Sequence, residues 1–142
     1  GVLSNHADTV VRMCAWFLKH GADAAELSRY FVPELMARGE FEKKTGKDID
    51  LEAAKELVEV HGLSVLTPGG ESLEKVLLRP SAHQMPVVEY ILERAASRGE
   101  LFRSHLDLLE RHGSDQVKLF ASTFQSDAKP DPEPAADAVS AQ

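Results

Sequence analysis

The sequence predicts an all-α fold: a bundle of six or seven short helices arranged as helical hairpins, with a disordered C-terminal tail. Three observations carry that expectation. Apolar residues recur by threes and fours along most of the chain, and no stretch alternates convincingly with period two. Glycines stand where each apolar stripe stops. The densest apolar run, Val10 to Leu18 (VVRMCAWFL), carries a single charge, Arg12. A surface helix is ordinarily apolar over about a third of its circumference, so this run needs cover on nearly every side, from the other helices or from a second chain.

Taken in order, Asn5, Asp8 and Thr9 offer N-caps and place a first helix start just before Val10, with its end near His20 and Gly21 as the left-handed stop. Val10, Cys14, Phe17 and Leu18 share one face of it, while Met13 and Trp16 lie well around the cylinder. Asp23 caps a second helix over residues 24–38, with Leu27, Phe31, Leu35 and either Tyr30 or Met36 turned inward. Pro33 removes one backbone donor, which predicts a kink near Arg29–Tyr30 or two shorter helices.

Gly39 to Asp48 (GEFEKKTGKD) is polar and reads as a connection. Asp48 or Asp50 caps a third helix to about His61, with Leu51, Ala54, Leu57 and Val58 inward. Leu63 to Leu66 is a short apolar run broken by Thr67-Pro68-Gly69-Gly70. A fourth helix, residues 71–78, presents Leu73, Val76 and Leu77 and stops at Arg79-Pro80. Pro86 suits an early position of a fifth helix, whose stripe is Val87, Val88, Ile91, Leu92 and Ala95. Gly99 closes it, and a sixth follows with Leu101, Phe102, His105, Leu108 and Leu109. Ser114 caps a seventh to about Phe124, holding Val117, Leu119 or Phe120, and Phe124. The domain spans residues 1–126; residues 127–142 (DAKPDPEPAADAVSAQ) offer little to bury and are expected to be disordered.

Residues 6–11 and 83–88 share the pattern H-x-x-[TP]-V-V, a weak internal echo. The phrase VVRMCAWFLKHGAD is similar to the end of an ankyrin repeat over about fourteen residues, but that family's period of about 33 residues is missing, and the chain is not assigned to it.

The chain has 142 residues, 43% hydrophobic and 27% charged, with a formal net charge of −7. That is the composition of a globular domain. The negative charge lacks the electrostatic attraction that dominates non-specific nucleic-acid binding, so nucleic acid is an unlikely partner. No run approaches the roughly 18 apolar residues of a membrane span, and no basic segment precedes an apolar one at the start; a cytoplasmic protein is the expectation. Cys14 is the only cysteine and reads as a small buried hydrophobe.

Six histidines invite a metal hypothesis. His20, His61 and His112 each precede a glycine, where a ring can bond free carbonyls at a helix end. His105 and His112 lie about 10.5 Å apart along a helix and cannot share an ion. No metal or cofactor is expected, and no catalytic motif is assembled. Gly69-Gly70 before a helix lacks the lysine of a phosphate loop, and Glu71 would repel an anion.

The leading expectation is a non-enzymatic helical protein–protein interaction module, an adaptor, regulator or accessory subunit that self-associates through the first helix. Met13, Trp16, Phe17, Tyr30, Phe102 and His105 are its expected interface residues, since aromatics and methionine are enriched at such contacts. His105 on an apolar stripe would make association sensitive to mild acid. One alternative is a DNA-binding regulator: Val58 to Ser64 resembles the turn of a helix-turn-helix within residues 51–78, with Lys55, Lys75 and Arg79 as a basic face. The other is a small helical enzyme with a site around His105.

Overall fold

The computed structural model describes residues 5–67, 71–79 and 81–131. The protein is an all-α bundle of seven helices among these residues: α1 (Asn5–Lys19), α2 (Ala24–Arg38), α3 (Ile49–Glu59), α4 (Glu71–Val76), α5 (Ser81–Arg98), α6 (Arg103–His112) and α7 (Asp115–Ser122). None of them is long and apolar enough to cross a membrane.

Local chemistry sets most of the boundaries. Asp23 accepts the Ala25 N–H at 3.0 Å, Asp48 the Leu51 N–H at 2.9 Å and Ser114 the Val117 N–H at 3.3 Å. Each supplies an acceptor to a first-turn donor that has no partner inside its helix. Gly39 ends α2 in the left-handed region at φ 67°.

Two helices begin earlier than the cap residues suggest. α1 starts at Asn5, which brings Ala7 into the core and leaves Asp8 inside the first turn, paired with Arg12 at 3.1 Å. A carboxylate there is favoured by the helix dipole. α5 starts at Ser81, so Pro86 lies inside the helix; its missing N–H removes a single intrahelical bond. α2 likewise runs as one helix across Pro33, not as two.

Neighbours in space are not always neighbours in sequence. α2 is the central element and packs against α3 and α4 as well as α1; α1 lies on α3, and α6 folds back on α7 as a helical hairpin. One continuous core results. The α5 stripe of Val87, Val88, Ile91, Leu92 and Ala95 is fully buried, as are Cys14, Leu57, Val58 and Leu109. Each such Val, Leu or Ile gains about 1.5–3 kcal/mol from leaving water.

Polar side chains then tie the helices together. At the α2–α3 end, Arg79 is buried, bonds the Met36 carbonyl at 2.8 Å and pairs with Asp48 at 2.9 Å. Asp50, also buried, accepts from Arg38 at 3.1 Å and from the Glu40 N–H at 3.2 Å. This network pins the 40–48 connection, where an isolated bridge joins Phe41 and Asp48.

Of the expected tail, residues 127–131 pack against the α5–α6 turn through the hydrogen bonds given below; the remainder, 132–142, lies outside the described residues. So does the expected Pro68-Gly69-Gly70 break.

Candidate functional site

The six expected interface residues fall at three depths. On α1, the inward face is Ala7, Val10, Val11 and Cys14, all buried. Trp16 lies two positions beyond Cys14, about 200° around the helix, and is 56% exposed. α1 is therefore less in need of cover than its sequence suggested: α2 and α3 bury its core side, and Trp16 is what they leave out. Its indole stacks on His20, with ring centroids 4.0 Å apart and planes 24° apart, and meets Phe17 edge-on at 5.5 Å. His20 Nδ1 bonds the Trp16 carbonyl at 2.8 Å, the role expected of a histidine at a helix end.

Met13 and Phe17 are half-buried beside this cluster, and Tyr30 of α2 is exposed. Phe102 is half-buried at the other end of the chain's fold. His105 corrects the expectation: it is 1% exposed, inside the protein, and offers no surface to a partner. Three exposed apolar residues were not anticipated, Val60, Leu78 and Leu119. For Leu119 and Phe120 the sequence left the inward position open, and the structure gives it to Phe120, which packs on the core.

His105 is built into the start of α6. The N-cap of that helix is Phe102, whose side chain has no hydrogen-bond acceptor. The free backbone donors are met by other groups. Phe102 donates its own N–H to His105 Nδ1 at 3.1 Å, Arg103 donates to the Lys129 carbonyl at 2.9 Å and Ser104 to Asp131 Oδ1 at 3.0 Å. Because Nδ1 accepts, the ring proton is on Nε2, which donates to the Thr67 carbonyl at 2.8 Å. Both nitrogens are occupied by backbone groups.

Burial holds the His105 pKa below the ordinary histidine value, against opposing effects of the Thr67 bond and the Asp131 charge. Asp131 is lowered by its bonds to Ser104. A neutral, doubly bonded imidazole positions backbone; it has no free lone pair with which to take a substrate's proton.

The residues of the proposed basic face are dispersed. Arg79 is buried against Asp48, and Lys55 lies over the Tyr90 ring at 5.3 Å while pairing with Glu52. The segment after Gly62 does not turn directly into a helix. Ser64 donates to Ser28 Oγ at 2.9 Å, the Leu63 carbonyl accepts from Arg98 at 3.0 Å, and Leu63, Val65 and Leu66 are buried. α4 has six residues and packs chiefly on α2.

Burial raises the Cys14 thiol to about 11, so it stays protonated near neutral pH and behaves as a small hydrophobe. No three His, Cys, Asp or Glu side chains among the described residues could together hold a metal ion.

Asp131 and Thr67, the partners of the α6 start, were missed by sequence reasoning. Phe102 in a cap position followed by His105 three residues on is the one signal that could have pointed to an outside acceptor. Compared with protein-family models, curated proteins and solved structures, the chain has no match.

Proposed function

We propose that this protein is a helical protein–protein interaction module that self-associates through the outer face of α1. The observation that carries the reading is Trp16: a large aromatic side chain more than half exposed, at 56%, and the only tryptophan in the chain. An indole can bury 150–250 Å² on contact, about the largest contribution one side chain makes to an interface.

The charges around Trp16 suit a second copy of the same helix. Asp8 lies toward the N-terminal end of the outer face, Arg12 at its middle, paired with Asp8 at 3.1 Å, and Lys19 at its C-terminal end. In a two-fold antiparallel arrangement that sets Asp8 of one copy opposite Lys19 of the other, Arg12 comes opposite Ala15, beside the partner's indole. The dipoles of the two helices also oppose favourably.

The test is the solution mass, by light scattering over a dilution series, for the wild type and for Trp16→Ala. A species near twice 15.6 kDa that dissociates in the variant supports the reading. A monomer at every concentration, with a variant that differs only in stability, removes self-association through α1. Because Trp16 is the only tryptophan, a blue shift of its emission on concentration reports burial of this face alone.

A further inference from the structure

We propose that residues 127–131 form a pH-gated clasp on the α5–α6 turn, released when His105 takes up a proton at Nδ1. The clasp is held almost wholly by backbone. Lys129 donates its N–H to the Leu101 carbonyl at 2.9 Å, its own carbonyl accepts from Arg103 at 2.9 Å, and Asp131 accepts from Ser104 at 3.0 Å. The Lys129 side chain also crosses Gly99 so closely that a Cβ there would collide with its ammonium. Only Ala128 of this segment packs on the core, half-buried; the other four residues are exposed. A segment with so little apolar contact belongs to the low-stability end of a fold and opens readily.

The groups it grips are positioned by His105. The ring's bare Nδ1 takes the Phe102 N–H, which fixes the backbone of residues 102–104 in the orientation that the clasp pairs with. A proton from solvent on Nδ1 turns that acceptor into a donor, and the ring becomes a cation with N–H groups on both nitrogens. The Phe102 N–H then faces another N–H and must swing away, carrying the Arg103 and Ser104 amides with it. The new cation also attracts Asp131, which opposes release. The loss of the Phe102 bond undoes the pairing.

The ring's charged surroundings leave the switch to this pair. The clasp contributes Asp131 and Lys129. α4, packed on α6, carries Glu74 and Lys75; α7 carries Asp115 and Lys118; the turn carries Glu100, which bonds the Val65 N–H; α6 itself carries Arg103 and Asp107. Of these, Asp131 is the one whose charge acts on His105. Asp131 is exposed to water, so its attraction is screened, whereas the bond lost at Phe102 is shielded. Burial of the ring sets the switch below the ordinary histidine range, so the clasp is closed at neutral pH.

The experiment is amide hydrogen exchange on the full chain at about pH 7.5 and about pH 4.5, corrected for intrinsic exchange, for the wild type and for His105→Gln. Glutamine at the third helical position can still accept the N-cap N–H but does not titrate. Expected in the wild type is a loss of protection of about tenfold or more at the amides of residues 103, 104 and 129 in acid, with α3 and the centre of α5 unchanged. In His105→Gln the clasp stays protected at both values. Equal protection at both pH values in the wild type, or the same loss in the glutamine variant, overturns the proposal. If the variant does not fold, an NMR titration of the wild-type ring decides: a His105 midpoint that coincides with clasp opening supports the switch, and a ring that titrates with the clasp closed overturns it.

Discussion

Arg98, the last residue of α5, donates to the Val58 carbonyl at 2.8 Å, across 40 positions of sequence, and so caps α3 from a different helix. Its other donor holds the Leu63 carbonyl at 3.0 Å. The Glu56 and Leu57 carbonyls at the end of α3 accept the backbone N–H groups of residues 60, 61 and 63; the guanidinium supplies the Val58 carbonyl and fixes where the chain leaves for α4. It also joins α3 to α5, as do Tyr90, whose hydroxyl donates to Glu59 at 2.6 Å, and Arg94, which pairs with the same carboxylate at 2.6 Å.

Arg98→Ala is therefore expected to destabilise the protein by about 1–2 kcal/mol, the scale of hydrogen bonds from a charged donor that is partly open to solvent. Arg98→Lys should recover less than half of the loss, because an ammonium does not span two divergent carbonyls as the planar fork does. Urea denaturation of the three proteins measures both. Identical midpoints would mean that water replaces the guanidinium without loss.

Gly39 and Gly21 make a controlled comparison. Both have positive φ, 67° and 88°, so alanine at either position bears the left-handed strain of about 1–2 kcal/mol. At Gly21 a Cβ meets nothing within 4 Å, whereas at Gly39 it runs into the guanidinium of Arg79. That guanidinium is held by Met36 and Asp48 and cannot easily retreat. Gly39→Ala should cost about 1–3 kcal/mol more than Gly21→Ala, read as a difference in thermal or urea midpoints. Equal losses would show that the Arg79–Asp48 pair is free to shift.

His105 also predicts the sign of a pH dependence in global stability. Its pKa is depressed in the folded protein, and in the unfolded chain it is about 6.5. Above about pH 6.5 neither state holds the proton, and its contribution to stability is complete. As pH falls through that value the unfolded chain binds the proton first, so stability declines until the folded pKa is passed. His105→Gln should flatten this part of the profile below about pH 7, as urea midpoints at three pH values would record. Parallel profiles for the two proteins would place the acid sensitivity elsewhere.

Much of the fold was legible because helices are local objects. The α5 stripe, the inward face of α3 and the caps Asp23, Asp48 and Ser114 follow from spacing and from acceptors beside free amides, both of which act within about four residues. The starts of α1 and α5 were harder to read, because Asp8 and Pro86 are tolerated inside a helix as well as at its edge. For the candidate site, the sequence singled out Trp16 and His105 alike as interface residues. It did not separate them: both lie on helices rich in apolar residues, yet one faces water and the other is enclosed.

The sequence by itself determined that the chain is helical, how many helices it forms and the inward stripes of α3 and α5, but not the starts of α1 and α5 or the full inward face of α1. The tertiary structure decided everything that depends on two distant segments meeting. Trp16 is exposed because α2 and α3 cover only the opposite side of α1. Arg79 is an internal ion-pair partner, not part of a basic face, because α4 delivers it to Asp48. His105 holds its Nε2 proton, and residues 127–131 hold to the α5–α6 turn, because Thr67 and Asp131 arrive from separate parts of the chain. Periodicity records how a helix is made, whereas the partner that satisfies a buried polar group is chosen by how the helices pack.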